Sequence, residues 1–173
     1  MTFSIRPATP ADACHLPGVE RSAAQVFRTV PELAWLAEGE VLPIEAHHAC
    51  MEQHACWVAV DGHDRPLGFL SAERCGRDLH ILEMSVARQV QGRGLGYRLL
   101  ACAVAGAREH GLSGLTLTTF CTVAWNAPFY RKAGFHIIAP SALEPHLAAR
   151  LRQEAEAGFG PGTRCAMRRD VTG

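Results

Sequence analysis

Gln91-Gly92-Arg93-Gly94-Leu95-Gly96-Tyr97 is a glycine-rich turn with the composition of a phosphate cradle. Residues 79–86 before it are β-like, and residues 97–108 after it have a helical pattern. At a strand-to-helix turn the first amides of the helix have no intrahelical acceptor, and the helix dipole adds positive potential. Glycine lets the backbone approach an anion closely, and Arg93 offers a charge-assisted hydrogen bond. Spacing narrows the ligand. A P-loop needs Gly-x4-Gly-Lys-Ser/Thr, and no Lys-Ser/Thr is present. The dinucleotide fingerprint Gly-x-Gly-x-x-Gly fails from Gly92, where Tyr97 occupies the last position, and from Gly94, where Leu99 does. What remains is Gln91-x-x-Gly94-x-Gly96.

Downstream stands Trp125-Asn126-Ala127-Pro128-Phe129-Tyr130-Arg131-Lys132-Ala133-Gly134-Phe135. Its distance from the glycine turn fits one helix, one strand and a second helix start. The two segments, in this order, resemble the GNAT superfamily of N-acetyltransferases: the first its coenzyme A pyrophosphate loop, the second its Asn-x(3–6)-Tyr-x-x-x-Gly-Phe segment. The resemblance covers residues 55–139. Ile5-Arg6-Pro7-Ala8-Thr9-Pro10-Ala11-Asp12 also looks like the superfamily's opening strand and helix start, whereas residues 25–53 and 140–173 carry no motif.

The resemblance implies acetyl-CoA as co-substrate and an amine acceptor, with a small molecule the first expectation; no metal is expected, because the nine histidines include no His-x3-His spacing. It implies cofactor contacts from Met84, Ser85 and Val86 through the strand backbone, from Gln91, Gly92, Arg93, Gly94, Leu95, Gly96 and Tyr97 in the turn, and from Asn126, whose position equally suits a helix N-cap. Tyr130 matches the tyrosine beside the coenzyme sulfur. A thiol with a pKa of about 8.5 leaves more readily with an acid nearby. An ammonium with a pKa near 10.4 must lose a proton before attack, and His80 and Glu83 are the two candidate bases. Strict strand alternation puts them on opposite faces, a parity that a bulge would break. Acetyl transfer is expected to be direct, which leaves a covalent route through Cys121 open but unneeded. An acyltransferase with another donor or an oxygen acceptor stays open, as does a regulatory module that binds acyl-CoA without turnover.

Glu20, Glu32, Glu38, Glu40 and Glu45 fall where the family covers its acceptor and hint at a cationic amine, although solvated helix faces would look the same. Phe27 and Trp35 are candidates to wall a pocket, or plain core.

Composition sets the frame. The chain has 173 residues, which suits a single domain over 1–173. Seventeen Lys+Arg balance seventeen Asp+Glu, so no basic surface points to nucleic acid. No apolar run approaches the ~20 residues of a membrane span, and Met1-Thr2-Phe3-Ser4-Ile5-Arg6 does not read as a signal peptide. Seven cysteines, an odd number without a Cys-x-x-Cys pair, read as scattered thiols of a cytoplasmic protein. A homodimer is left open.

The elements that must position these residues follow from pattern. Strands are expected near 3–6, 55–60, 67–72, 78–86, 115–120, 135–138 and 163–168, with a hairpin turn over 61–64. Helices are expected over 10–27 with a break at Pro17-Gly18, and over 32–37, 44–53, 93–110 with Gly111 as C-cap, 124–133 and 145–157. The fold class is α/β: a mixed, mostly antiparallel twisted sheet of six to seven strands, GNAT-like, with helices on both faces.

Overall fold

The computed structural model describes residues 1–171. Its elements are β1 (Ser4–Pro7), α1 (Leu16–Ala24), α2 (Ile44–Glu52), β2 (Cys56–Val60), β3 (Pro66–Cys75), β4 (Asp78–Val86), α3 (Leu95–Glu109), β5 (Gly114–Phe120), α4 (Ala127–Lys132), β6 (His136–Ile137), α5 (Pro145–Glu156) and β7 (Arg164–Asp170). The strands form one seven-stranded sheet in the order β1-β2-β3-β4-β5-β7-β6. Every neighbouring pair is antiparallel except β4 and β5.

Helices cover both faces, as strand alternation demonstrates. Trp57 and Val58 are consecutive on β2 and therefore face opposite ways. A Cβ on Gly106 of α3 would lie 2.6 Å from the Trp57 ring, so α3 packs on that face with glycine at the contact. On the other face Phe69, paired with Val58, meets the ring of His47 from α2 at 5.0 Å. Leu95, Leu99, Leu100, Ala103, Val104 and Ala107 repeat at helical spacing and are all buried. This stripe anchors α3 across the sheet, and the anchor fixes where its N-terminus, and hence the glycine turn, must sit.

Three expectations are corrected. The helix expected over 10–27 is α-helical only over Leu16–Ala24, with tight 3-10 segments at Pro10–His15 and Gln25–Thr29. Pro17 lacks an amide hydrogen and sits in the first turn of α1, where none is needed. The last sheet strands are unequal: β6 shrinks to two residues, while β7 extends to Asp170 and pairs along all of β5. Finally, α4 begins at Ala127 rather than 124.

β4 and β5 pair through only three rungs, Asp78–Gly114, Leu79–Leu115 and His80–Thr116. Beyond them the strands part. The closed end is clamped by Arg168 of β7, whose Nε and Nη2 donate to the Asp78 carboxylate at 3.1 and 3.0 Å. Asp78 is buried. Removing the guanidinium would strand a buried charge, so Arg168→Met is expected to lower stability by about 3–5 kcal/mol. Urea unfolding followed by far-UV circular dichroism checks this, and a loss within about 0.5 kcal/mol would show that the clamp carries no load.

Candidate active site

The parted strands form a cavity of about 780 Å³. One side of its wall is β4 from His80 to Val86, which has no strand partner toward β5 beyond His80. β5 is engaged by β7 along its other edge, and Leu117, Thr118, Thr119 and Phe120 line the opposing wall. The parting has a local cause on β4. Ser71 and Ala72 of β3 pair with Glu83 and Ile81, which leaves Leu82 as an extra residue. Such a bulge bends its strand and resets alternation. The opposite-face expectation for His80 and Glu83 is thereby overturned: both line this cavity.

At one end of the cavity lies the glycine turn. Gly92 and Gly94 have φ of +75° and +74°, where a Cβ would cost about 1–2 kcal/mol. Among the described residues no group of the chain accepts from the amides of Gly92 to Tyr97, whereas Arg98 donates to the Gly94 carbonyl at 3.2 Å. A row of free amides at the N-terminus of a 15-residue helix is a seat for phosphate. Gly92, Gly94, Leu95, Gly96 and Tyr97 reach the cavity. Arg93 does not; its guanidinium lies 5.9 Å from the centre of the Phe3 ring. Gln91 lines the cavity and braces the turn, its Nε2 donating to the Val86 carbonyl at 3.0 Å. That bond occupies a carbonyl expected to serve a ligand. Gly96 is needed for packing, since a Cβ there would lie 3.1 Å from Phe129.

Tyr130 from α4 enters the same cavity, buried to 8 % exposure against the edges of Phe129 and Phe135 at 5.2 and 5.5 Å. Burial, reinforced by the charge of Glu83, pushes its hydroxyl above the usual tyrosine range, so it stays protonated. Asn126 stands at the N-cap of α4 but its side chain does not cap; its Nδ2 donates to the Trp125 carbonyl at 3.2 Å, and the residue lines the cavity. Met84, Ser85 and Val86 line it as well.

The two candidate bases differ in kind. His80 sits at the vertex of the parting, 2 % exposed, its Nδ1 sharing a hydrogen bond with Thr116 Oγ1 at 2.9 Å. Burial, with nearby Arg150 and His146, depresses its pKa to about 3. The imidazole, one of the two candidate bases, is therefore held in its neutral form near neutral pH. Glu83 is raised instead, by loss of solvent, and accepts from Ser85 Oγ at 2.8 Å. It has company. Glu20 of α1 lines the cavity, and loss of solvent together with the charge of Glu83 raises it to about 8. Its Oε2 accepts from the Leu42 amide at 2.9 Å, tying the 39–42 segment over the cavity, where Gly39, Glu40 and Val41 contribute to the wall.

Of the acidic group expected around the acceptor, only Glu20 and Glu40 line the cavity; Glu38 pairs with Arg28 on the surface. Phe27 lines it and Trp35 does not. The thiol of Cys121 donates to the Gly162 carbonyl at 3.8 Å, and the residue is outside the cavity wall. Sequence reasoning missed the far wall: Trp125, Phe120, Phe159, Glu154 and Arg164. Arg164 stacks between Phe120 and Phe159, 4.6 and 4.8 Å from their ring centres, and donates to Glu154 at 3.0 and 3.2 Å. The alternation of Arg164, Ala166 and Arg168 along β7 was the available signal.

The comparisons with known proteins agree with this geometry. Residues 52–137 match the family model described as an acetyltransferase (GNAT) domain. The chain belongs to the GNAT acetyltransferases. Solved structures share the fold over almost the whole chain. PaiA N-acetyltransferase from Thermoplasma acidophilum, in complex with coenzyme A, is 15 % identical with a TM-score of 0.69, covering 98 % of this chain and 99 % of that one. Ribosomal-protein-S18-alanine N-acetyltransferase from Escherichia coli is 12 % identical with a TM-score of 0.69, covering 99 % and 96 %. N-acetylglutamate synthase from Neisseria gonorrhoeae, complexed with coenzyme A and N-acetyl-glutamate, is 17 % identical with a TM-score of 0.68; this chain is covered fully and spans 36 % of that chain. These GNAT folds act on different acceptors by their names, so the fold does not choose the acceptor. Among the described residues no helix is long and apolar enough to cross a membrane.

The raised Glu20 carboxyl has a consequence for stability. Its folded value of about 8 lies above the ordinary 4.5, so between those values the folded GNAT protein holds a proton that the unfolded chain has released. This contribution is full below the ordinary carboxylate range and is lost as pH rises toward 8. Glu20→Gln fixes the neutral form, and its stability should therefore fall less than wild type from about pH 5 to about pH 9. Melting temperatures across that range check the sign; parallel curves for the two proteins would show that Glu20 is not held neutral.

Proposed function

We propose that this GNAT protein transfers the acetyl group of acetyl-CoA directly to the amine of a small molecule. One observation carries the reading: amides of the glycine turn that are free among the described residues open onto the same cavity as the unpaired edge of β4, the Tyr130 hydroxyl and two carboxyls that make no ion pair among those residues. Phosphate, an extended amide chain, a leaving sulfur and an ammonium each have a matching group there.

The residues fit the cofactor. The row of free amides suits a pyrophosphate, and a bare strand edge suits the amides of a pantetheine arm, as an added strand would. Acetyl-CoA, when bound, supplies an activated thioester carbonyl. The chain supplies the rest. Held in one dry cavity, the amine and the thioester need no covalent enzyme intermediate. Glu83 of β4 and Glu20 of α1 raise each other and act as a pair that holds one proton between them, leaving one carboxylate to take the proton of the incoming ammonium. A carboxyl raised toward 8 is a better match to an amine than an ordinary one. Neutral His80 positions Thr116 at the vertex and keeps positive charge away from the ammonium. As the C–N bond forms and the C–S bond breaks, the Tyr130 hydroxyl would give its proton to the departing sulfur and regain one from the proton the acylated nitrogen sheds. The burial that raises the tyrosine also raises a thiol in the same place, so the two remain matched.

A coupled assay for thiol release tests the reading. Release is expected only with both acetyl-CoA and an amine present. Tyr130→Phe keeps the ring and removes the hydroxyl, and kcat should fall by roughly 10²-fold or more with little change in acetyl-CoA affinity. Saturating acetyl-CoA binding without amine-dependent release under any condition would favour the acyl-CoA-binding module instead.

A further inference from the structure

The acceptor end of the cavity is unlike the cofactor end. Phe27, Trp125, Phe120 and Phe159 form a continuous aromatic wall: Phe27 meets Trp125 at 5.6 Å and Phe120 at 5.9 Å between ring centres, and Phe120 meets Phe159 at 5.6 Å. They come from four separate segments, the 25–29 turn, the end of β5, the β5–α4 loop and the α5–β7 loop, and all four line the cavity. Edge-on and tilted rings at this spacing leave faces and edges that receive another ring favourably.

The charges beside that wall are selective. Glu20 accepts from the Leu42 amide and Glu83 from the Ser85 hydroxyl and the Met84 amide, and among the described residues neither makes an ion pair. The cations are spent: Arg164 is paired with Glu154, and Arg150 with Glu73. Arg21, the remaining arginine of the lining, is exposed. A carboxylate beside the reacting amine would therefore face two uncompensated acids and no committed cation. A polyamine would need further carboxylates along its length, but Glu154 is engaged by Arg164 and Thr118, and Glu40 is exposed.

We propose that the acceptor is a primary amine carried on an aromatic or similarly planar apolar body, with no carboxylate next to the amine. Its ammonium lies between Glu20 and Glu83, and its ring lies on the wall of Phe27, Phe120 and Trp125. This rests on the N-acetyltransferase reading and narrows it to a substrate class.

The test uses the intact protein and four probes, 2-phenylethylamine, n-butylamine, L-phenylalanine and spermidine, with two readouts. Thiol release gives kcat/KM, and calorimetry on coenzyme A-saturated protein gives binding of the same amines. The ring amine should exceed n-butylamine by roughly 10-fold or more in kcat/KM, and L-phenylalanine and spermidine by at least as much. Phe27→Leu should cut the ring-over-butyl ratio by about 3- to 10-fold. Trp125→Phe serves as a second, milder variant if Phe27→Leu folds poorly, judged by its melting temperature. Turnover of n-butylamine, L-phenylalanine or spermidine equal to or above the ring amine overturns the substrate class and leaves the acetyltransferase reading intact. Selective binding of 2-phenylethylamine without turnover supports the pocket and overturns the enzymatic reading. Absence of both binding and turnover of the ring amine overturns the proposal.

Discussion

The parallel contact between β4 and β5 is the constraint from which the rest of the molecule follows. It lasts three rungs and stops at His80–Thr116. Below that point the Asp78–Arg168 pair holds the strands together. Above it the extra residue at Leu82 turns β4 aside, while β7 keeps β5 in place through Phe120. The result is a sheet edge inside the molecule rather than on its outside. Bare backbone groups withdrawn from water are costly unless something pairs with them. An extended ligand with amides of its own is the natural partner. The same parting brings α3 and α4 to one opening, so that the glycine turn and Tyr130 line a single cavity.

Loss of solvent then divides the ionisable groups by type. Carboxyls and the tyrosine hydroxyl are driven up, and the imidazole of His80 is driven down. All of these shifts favour neutral forms in a dry site, which supports the carboxyls over the histidine as the proposed base. A histidine held near 3 has no appetite for a proton at neutral pH, whereas a pair of carboxyls that repel each other's charge gains by receiving one cation between them. Glu20 also ties down the 39–42 segment through the Leu42 amide, so the group proposed to meet the acceptor also shapes the space around it.

Much of this was legible in the sequence because it is local. The glycine turn, its flanking strand and helix, the Asn126–Phe135 segment and the strand alternations are set by neighbours along the chain. The fold class, and seven strands in place of six to seven, follow from those patterns. What could not be read depends on contacts between distant segments. The bulge at Leu82 exists only as a mismatch with β3, and alternation without it put Glu83 on the wrong face. The burial of His80 depends on Thr116, on a strand more than thirty residues on, and could not be read from its own strand. The far wall was invisible for the same reason: Arg164, Phe120 and Phe159 are meaningless apart and form a stack only when β5 and β7 pair. Arg93 was legible as a charge, but its position over Phe3 was not.

Amide hydrogen exchange with and without acetyl-CoA, read by mass spectrometry of peptides, probes the central idea most directly. The unpaired edge of β4 and the free amides of the glycine turn should exchange quickly alone and slow by roughly 10-fold or more with the cofactor bound. The protected stretches should be 81–86 and 92–97, joined by 126–130, while the hairpin turn over 61–64 remains unchanged. Tight binding of acetyl-CoA with no protection in 81–86 or 92–97 would contradict the assignment of the parted strands as its seat.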